Sequence, residues 1–259
     1  MLGLRLLEED YMLKLHGPVM GFRQPAADKL CSSSFGAKMM DTFFPDLKLG
    51  ELIVLHGSYV CHVISELLCI RSQLADGLGG LESSAVFIDG GNLFDPYLIS
   101  ENARLMGLEP EETLKSIWVS RAFTSYQMTA LLTEKIHEIL DRTESKLVVV
   151  SDLPALYCDS DIGLFEAKKT FNRITRFVWN LTRERRLLLV ATSILSKNTR
   201  KRGLEHYLLG RADIVAKIED RTPHVRITLE KHPSRSAVSV DLFFEEPLGQ
   251  FLLEDFAEA

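Results

Sequence analysis

The sequence predicts an α/β fold, with a central and mostly parallel sheet flanked by helices and extended at its C-terminal end by antiparallel strands. Three observations lead there. Short apolar runs with few polar interruptions recur between Glu51 and Thr192, as strands buried on both faces require. Longer stretches with apolar residues at three- and four-residue steps separate them, which is the crossover pattern of parallel strands. Beyond Asp213 the pattern changes to period-two alternation with short turns, the mark of a half-exposed antiparallel meander.

Residues 1–34 show little periodicity. Pro18, Pro25 and the run Ser32-Ser33-Ser34 mark them as an arm or linker ahead of a core expected over 35–250, with 251–259 as a tail. Glu51 to His56 reads as a buried strand, Val60 to Ala75 as a helix, and Ala85 to Asp89 as a second strand. Pro96 to Met106 is helical, with Asp95 able to cap its first turn and Gly107 to end it. Ser116 to Ser120 is a third strand. Thr124 to Arg142 is one long amphipathic helix with Met128, Leu131, Leu132, Ile136, Ile139 and Leu140 on its apolar side. Lys146 to Val150 is a strand apolar on both faces. Leu164 to Arg185 is a helix and Leu187 to Thr192 a strand. Asp213 to Ile218, Val225 to Leu229 and Ala237 to Phe244 form the closing meander, with turns at Thr222-Pro223 and Pro233-Ser234.

Composition narrows the function. Of 259 residues 46% are hydrophobic and 25% charged, enough for a full core. A net charge of -6 argues against a general polyanion binder and leaves only a local basic patch for nucleic acid. Cys31, Cys61, Cys69 and Cys158 lack ligand spacing, so neither a zinc site nor a disulfide framework is expected. No apolar run is long enough for a bilayer and the first residues do not read as a signal peptide, which predicts a cytoplasmic protein. No Ser/His/Asp or Cys/His arrangement suggests hydrolase chemistry. Trp118, Trp179, Tyr207 and the Met39-Met40 pair read as packing residues, and His206 supports no sharper role.

The stretch from Ala85 to Leu140 carries a sharper signal. A strand ending in Asp89 leads to Phe94-x-Pro96, then to Gly107-Leu108-x-Pro110 with Leu114, and then to Arg121-Ala122-Phe123-x-Ser125-x-Gln127. This pattern resembles the ATPase core of RecA-like recombinases of the archaeal RadA type, and the likeness extends over about residues 35 to 245. The resemblance implies a RecA-like P-loop NTPase fold and a role in DNA repair or recombination.

The nucleotide-handling residues of that family are missing. A phosphate loop needs G-x-x-x-x-G-K-[ST], so that backbone N–H groups wrap phosphate, lysine adds charge and the hydroxyl holds Mg²⁺. Here the loop reads Gly57-Ser58-Tyr59-Val60-Cys61-His62-Val63-Ile64, in which only Gly57 fits. Neither register, with the loop at full length or about two residues short, puts Gly-Lys-Ser/Thr over the segment that includes His62, Val63 and Ile64, and His62 as a neutral imidazole is a poor stand-in for the lysine. The glutamate that the resemblance implies after Asp89 is replaced by Gly90 and Gly91. The metal-orienting aspartate aligns with Ser151, with Asp152 one residue later, and a one-residue step points a strand side chain to the other face. A bulge at the strand end would let Asp152 serve. The expectation is a pseudo-ATPase that binds neither ATP nor Mg²⁺ and has no catalytic residues.

The resemblance also implies two DNA-contacting loops. The first falls on Tyr157 to Gly163, which is acidic. The second falls on Ser196 to Gly203, expected as a polar loop whose Lys197, Arg200, Lys201 and Arg202 neutralise phosphates. Arg183, Arg185 and Arg186 suit a helix C-terminus. Phe256-x-x-Ala259 is similar to the short Phe-x-x-Ala element with which recombinase protomers dock, and marks a possible partner-binding segment. Three readings follow. One is an ATPase-inactive recombinase paralogue that binds single-stranded DNA, a RadA-type recombinase or itself. The second is a protein-interaction module without DNA contact. The third is a nucleotide binder of unusual type using Gly57, His62 and Asp152.

Overall fold

The computed structural model describes residues 48–75, 78–159, 162–222 and 224–243. The chain divides into Met1–Ser33 and Ser34–Ala259, and the first of these lies outside the described residues. So do Cys31, Met39, Met40, Phe256 and Ala259.

Among the described residues eight strands form one sheet: β1 (Leu52–Gly57), β2 (Ala85–Asp89), β3 (Ile117–Arg121), β4 (Leu147–Ser151), β5 (Leu188–Ile194), β6 (Ile214–Arg221), β7 (His224–Lys231) and β8 (Val238–Phe243). Their order is β3-β2-β4-β5-β1-β6-β7-β8. The first six run parallel, and β6-β7-β8 pair antiparallel. This is the α/β RecA-like architecture, with the expected antiparallel extension.

The helices are α1 (Val60–Arg71), α2 (Pro96–Leu105), α3 (Pro110–Lys115), α4 (Ser125–Ala130), α5 (Ile136–Thr143), α6 (Leu164–Glu184) and α7 (Thr199–Arg211). Alternate strand residues divide between two cores. Ile53, Leu55, Phe87, Val149 and Val190 pack under α1 and α2. Leu52, Val54, Ile88, Val150 and Leu189 pack under α4 to α7. Strands β2 and β4 are buried at every residue, which is why they read as continuous apolar runs.

Local chemistry fixes several ends. The Asp95 carboxylate accepts from the Tyr97 and Leu98 amides and starts α2, as its sequence suggests. Thr124 Oγ1 accepts from the Gln127 amide, while Gln127 Oε1 accepts from the Phe123 amide, so Gln127 helps begin α4.

Three sequence expectations change. The single helix over Thr124–Arg142 is broken by a π turn at Leu131–Lys135. Its most buried residues, Met128, Leu132, Ile136 and Leu140, recur every four residues. An α-helix drifts by roughly 40° at each such step, and the wider turn corrects the drift. Pro110–Lys115 forms a short helix that periodicity does not announce. The loop expected over Ser196–Gly203 is largely helical, because Asn198 accepts from the Arg200 and Lys201 amides and starts α7 at Thr199. Leu204 and Leu208, one turn apart, anchor it in the core. Among the described residues no helix is long and apolar enough to cross a membrane.

Candidate functional site at the carboxyl edge of the sheet

In open parallel sheets a ligand site forms outside the carboxyl ends of strands where crossovers leave in opposite directions. The strand order gives two such places, between β2 and β4 and between β5 and β1. Gly57 ends β1 and Ser151 ends β4, while Gly91 and Asp152 stand just beyond β2 and β4, so four of the seven expected nucleotide-site residues lie along this edge, with β5 between Gly57 and the others. Protein groups bond to one another at the strand ends beside both crevices.

At the end of β1 the chain enters α1 after only Ser58 and Tyr59. Gly57 has φ +121, and a Cβ there would lie 2.1 Å from the Ile218 carbonyl oxygen. The Ser58 amide donates to that same oxygen, so β6 presses directly on the turn. The Cys61 amide donates to the Ser58 carbonyl and the His62 amide to the Tyr59 carbonyl, which satisfies N–H groups that a phosphate loop would present. Val60, Cys61, His62, Val63 and Ile64 are all buried. His62 faces the core. Its ring meets Phe87 edge-on, and its Nε2 lies 3.3 Å from Glu66 Oε1, with both side chains fully buried. Glu66 Oε1 also accepts from the Asp95 amide. Burial pushes the Glu66 carboxyl up, the nearby His62 pulling partly the other way. Burial, followed by Glu66, pushes the Tyr59 hydroxyl up to about 12.

At the end of β2, the Asp89 carboxylate accepts from the Leu93 and Phe94 amides and from Arg121 Nε at 3.1 Å. It is fully buried and holds the following turn together. Gly90 donates to the Ser151 carbonyl. A Cβ on Gly91 would come within 3.3 Å of the Asp152 side chain, so glycine permits the close approach of these two strand ends.

Beyond β4, Asp152 takes φ 42, a left-handed conformation that re-aims its side chain. Its amide donates to Thr192 Oγ1 and its Oδ1 accepts from the Ile194 amide. Lys201 Nζ lies 2.7 Å from its carboxylate oxygens. The cation beside this aspartate is therefore a lysine from α7. Sequence reading placed Lys201 in an exposed DNA-contacting cluster, whereas only 8% of it is exposed. The other members divide. Arg200 donates to the Ile162 carbonyl, and Lys197 and Arg202 are exposed. The Lys201–Asp152 partnership was hidden in sequence because 49 residues separate the two. The legible signal was the Asn198 cap followed by Leu204 and Leu208, which puts Lys201 on a helix. Among the described residues no group of three or more His, Cys, Asp or Glu could hold a metal ion.

The Rad51 family's sequence model matches residues 28–232. The chain belongs to the Rad51 family. Among curated relatives, this Rad51-family chain is 29% identical over 126 residues to a DNA repair and recombination protein RadA from Aeropyrum pernix. That alignment covers 49% of this chain and 36% of the relative, so the chain matches about a third of the relative's length.

The same edge of this family member is apolar outside. Tyr97, Phe123, Tyr126, Leu164, Phe165 and Leu195 follow the ends of β2, β3, β4 and β5, and all are exposed. Sequence reading did not single them out for contact, because exposure depends on which helix turn leaves the sheet.

Proposed function

We infer that this chain is an ATPase-inactive member of the Rad51 family, serving as a cytoplasmic accessory factor in DNA repair or homologous recombination. The observation that carries this reading is the closed carboxyl edge. The first turn of α1 is buried with its leading amides paired, and Lys201 holds Asp152 in place of a metal ion. These residues do not fit Mg²⁺·ATP. A phosphate would have to displace β6 from Gly57, and a divalent ion would have to displace a buried ammonium. The unusual nucleotide site of Gly57, His62 and Asp152 fits no better, since His62 points into the core. A direct test combines thermal unfolding and phosphate release with millimolar Mg²⁺·ATP, with and without single-stranded DNA. The expected result is no change in Tm and no turnover; saturable stabilisation by ATP would refute the reading, because any ligand of the folded state must stabilise it.

DNA contact in this reading falls to Lys197 and Arg202, the exposed members of the basic cluster. Their replacement by alanine is expected to lower the salt slope of single-stranded DNA binding by about one unit per residue, with Lys201 uninvolved. The second reading, a protein-interaction module without DNA contact, is favoured by the exposed Tyr126, Leu164 and Phe165. Large apolar side chains left exposed in this way suit a protein partner such as a recombinase protomer. Sedimentation with a RadA-type recombinase, comparing the native chain with Y126S/F165S, separates the two. Loss of recombinase binding with no DNA binding in either protein supports the module.

A further inference from the structure

On the face of the sheet that carries α6 and α7, away from the carboxyl edge, an open groove of about 440 Å³ runs between the two helices. Trp179 of α6 and His206, Tyr207, Gly210 and Arg211 of α7 line it. The Arg183 guanidinium lies 3.6 Å from the centroid of the Trp179 ring and is held by Asp213 at 2.8 Å. The two helices carry nine Lys and Arg against three Glu, in a chain whose net charge is -6. Arg176, one turn before Trp179, is exposed and makes no ion pair with a described residue. Arg211 donates to Asn172 through Nη2, and its buried Nε has no partner among the described residues. A Cβ on Gly210 would meet nothing within 4 Å, so the α7 backbone is open to close approach. Trp, Tyr and Arg around a depression are the side chains that anchor a docked segment, and here the cations select an acidic one.

The chain contains such a segment. Residues 244–259 hold Glu245, Glu246, Glu254, Asp255 and Glu258, with no Lys, Arg or His, and Phe251 and Phe256 stand among them. Fully extended, they reach roughly 50 Å, against roughly 30 Å for the length of β8 and the width of the last three strands. We propose that this acidic C-terminal segment docks in the α6–α7 groove of its own chain. A phenylalanine ring packs against Trp179 and Tyr207, and the carboxylates pair with Arg176 and Arg211. Aromatic burial supplies most of the affinity and the charge pairs set orientation. The proposal involves neither the nucleotide edge nor Lys197 and Arg202, so its failure leaves the functional reading standing.

The test uses the full chain with a photo-crosslinking phenylalanine analogue at position 251 or 256, mapped by mass spectrometry on an equal mixture of isotopically heavy and light protein. Crosslinks within one copy to peptides containing Trp179 or Tyr207 are expected. They should fall about tenfold, as the loss of the charge-assisted pairs implies, in R176E/R211E and in E254K/D255K. They should return when the two pairs of substitutions are combined. Crosslinks confined to other faces, or joining heavy to light chains, overturn the proposal. So does a thymidine oligonucleotide that crosslinks to Trp179 and Tyr207 equally well with and without the tail substitutions, which would make the groove a nucleic-acid surface.

Discussion

Replacing Lys201 by methionine tests the central feature of the carboxyl edge. The side chains of Lys201 and Asp152 are 10% and 11% exposed and meet at 2.7 Å. Removing one partner of a buried pair leaves a desolvated charge, which costs about 3–5 kcal/mol. Asp152 keeps its bond from the Ile194 amide, so the lower end applies, about 3 kcal/mol. For a domain of this size that corresponds to a fall in Tm of roughly 6–12 °C. D152N costs a similar amount, because it strands the ammonium. The double variant D152N/K201M keeps an acceptor for Ile194 and buries no charge, so it should regain about 2 kcal/mol relative to the sum of the single variants. Urea unfolding followed by tryptophan fluorescence measures all four corners of the cycle. A K201M loss below about 0.5 kcal/mol, a value typical of exposed sites, would refute the reasoning. So would simple additivity in the double variant.

Three further outcomes follow from the same structure. Gly57→Ala places a Cβ 2.1 Å from a backbone oxygen at φ +121, and should cost more than about 3 kcal/mol or prevent folding, as read from soluble yield and urea unfolding. Glu66 is held protonated by burial more readily in the folded than in the unfolded chain, so its contribution is complete below about pH 4.5 and is lost as pH rises through the raised folded value. The stability of the native chain relative to E66Q should accordingly decline as pH rises above 4.5, and a flat difference would remove Glu66 as the cause. Burial raises the Cys61 and Cys69 thiols well above the free range and pushes Cys158 up to about 11. Iodoacetamide at pH 8 should leave Cys61 and Cys69 unmodified and label Cys158 slowly, with all three reacting in urea.

Much of the fold was legible because parallel strands buried on both faces leave a one-dimensional trace. The runs ending in Asp89 and Val150, and the period-two meander after Asp213, specify strands wherever they are placed in space. The absence of Gly-Lys-Ser/Thr after β1 is likewise a property of the chain alone. The caps were legible unevenly. Asp95 precedes an apolar helix and stands out, whereas Asn198 is masked by the basic run behind it, so α7 was read as a loop.

What the sequence by itself determined is the α/β class, the order of the strands along the chain and the absence of Gly-Lys-Ser/Thr after β1. Only the tertiary structure decided which side chains meet at the strand ends. Lys201 reaches Asp152 because α7 folds back over the ends of β4 and β5, and Arg121 reaches Asp89 because β3 pairs with β2. Both pairs join residues more than thirty positions apart. Charge partners at such separations leave no periodic trace, since nothing in local geometry ties one position to the other. Packing brings them together, and burial then makes the pairing energetically compulsory.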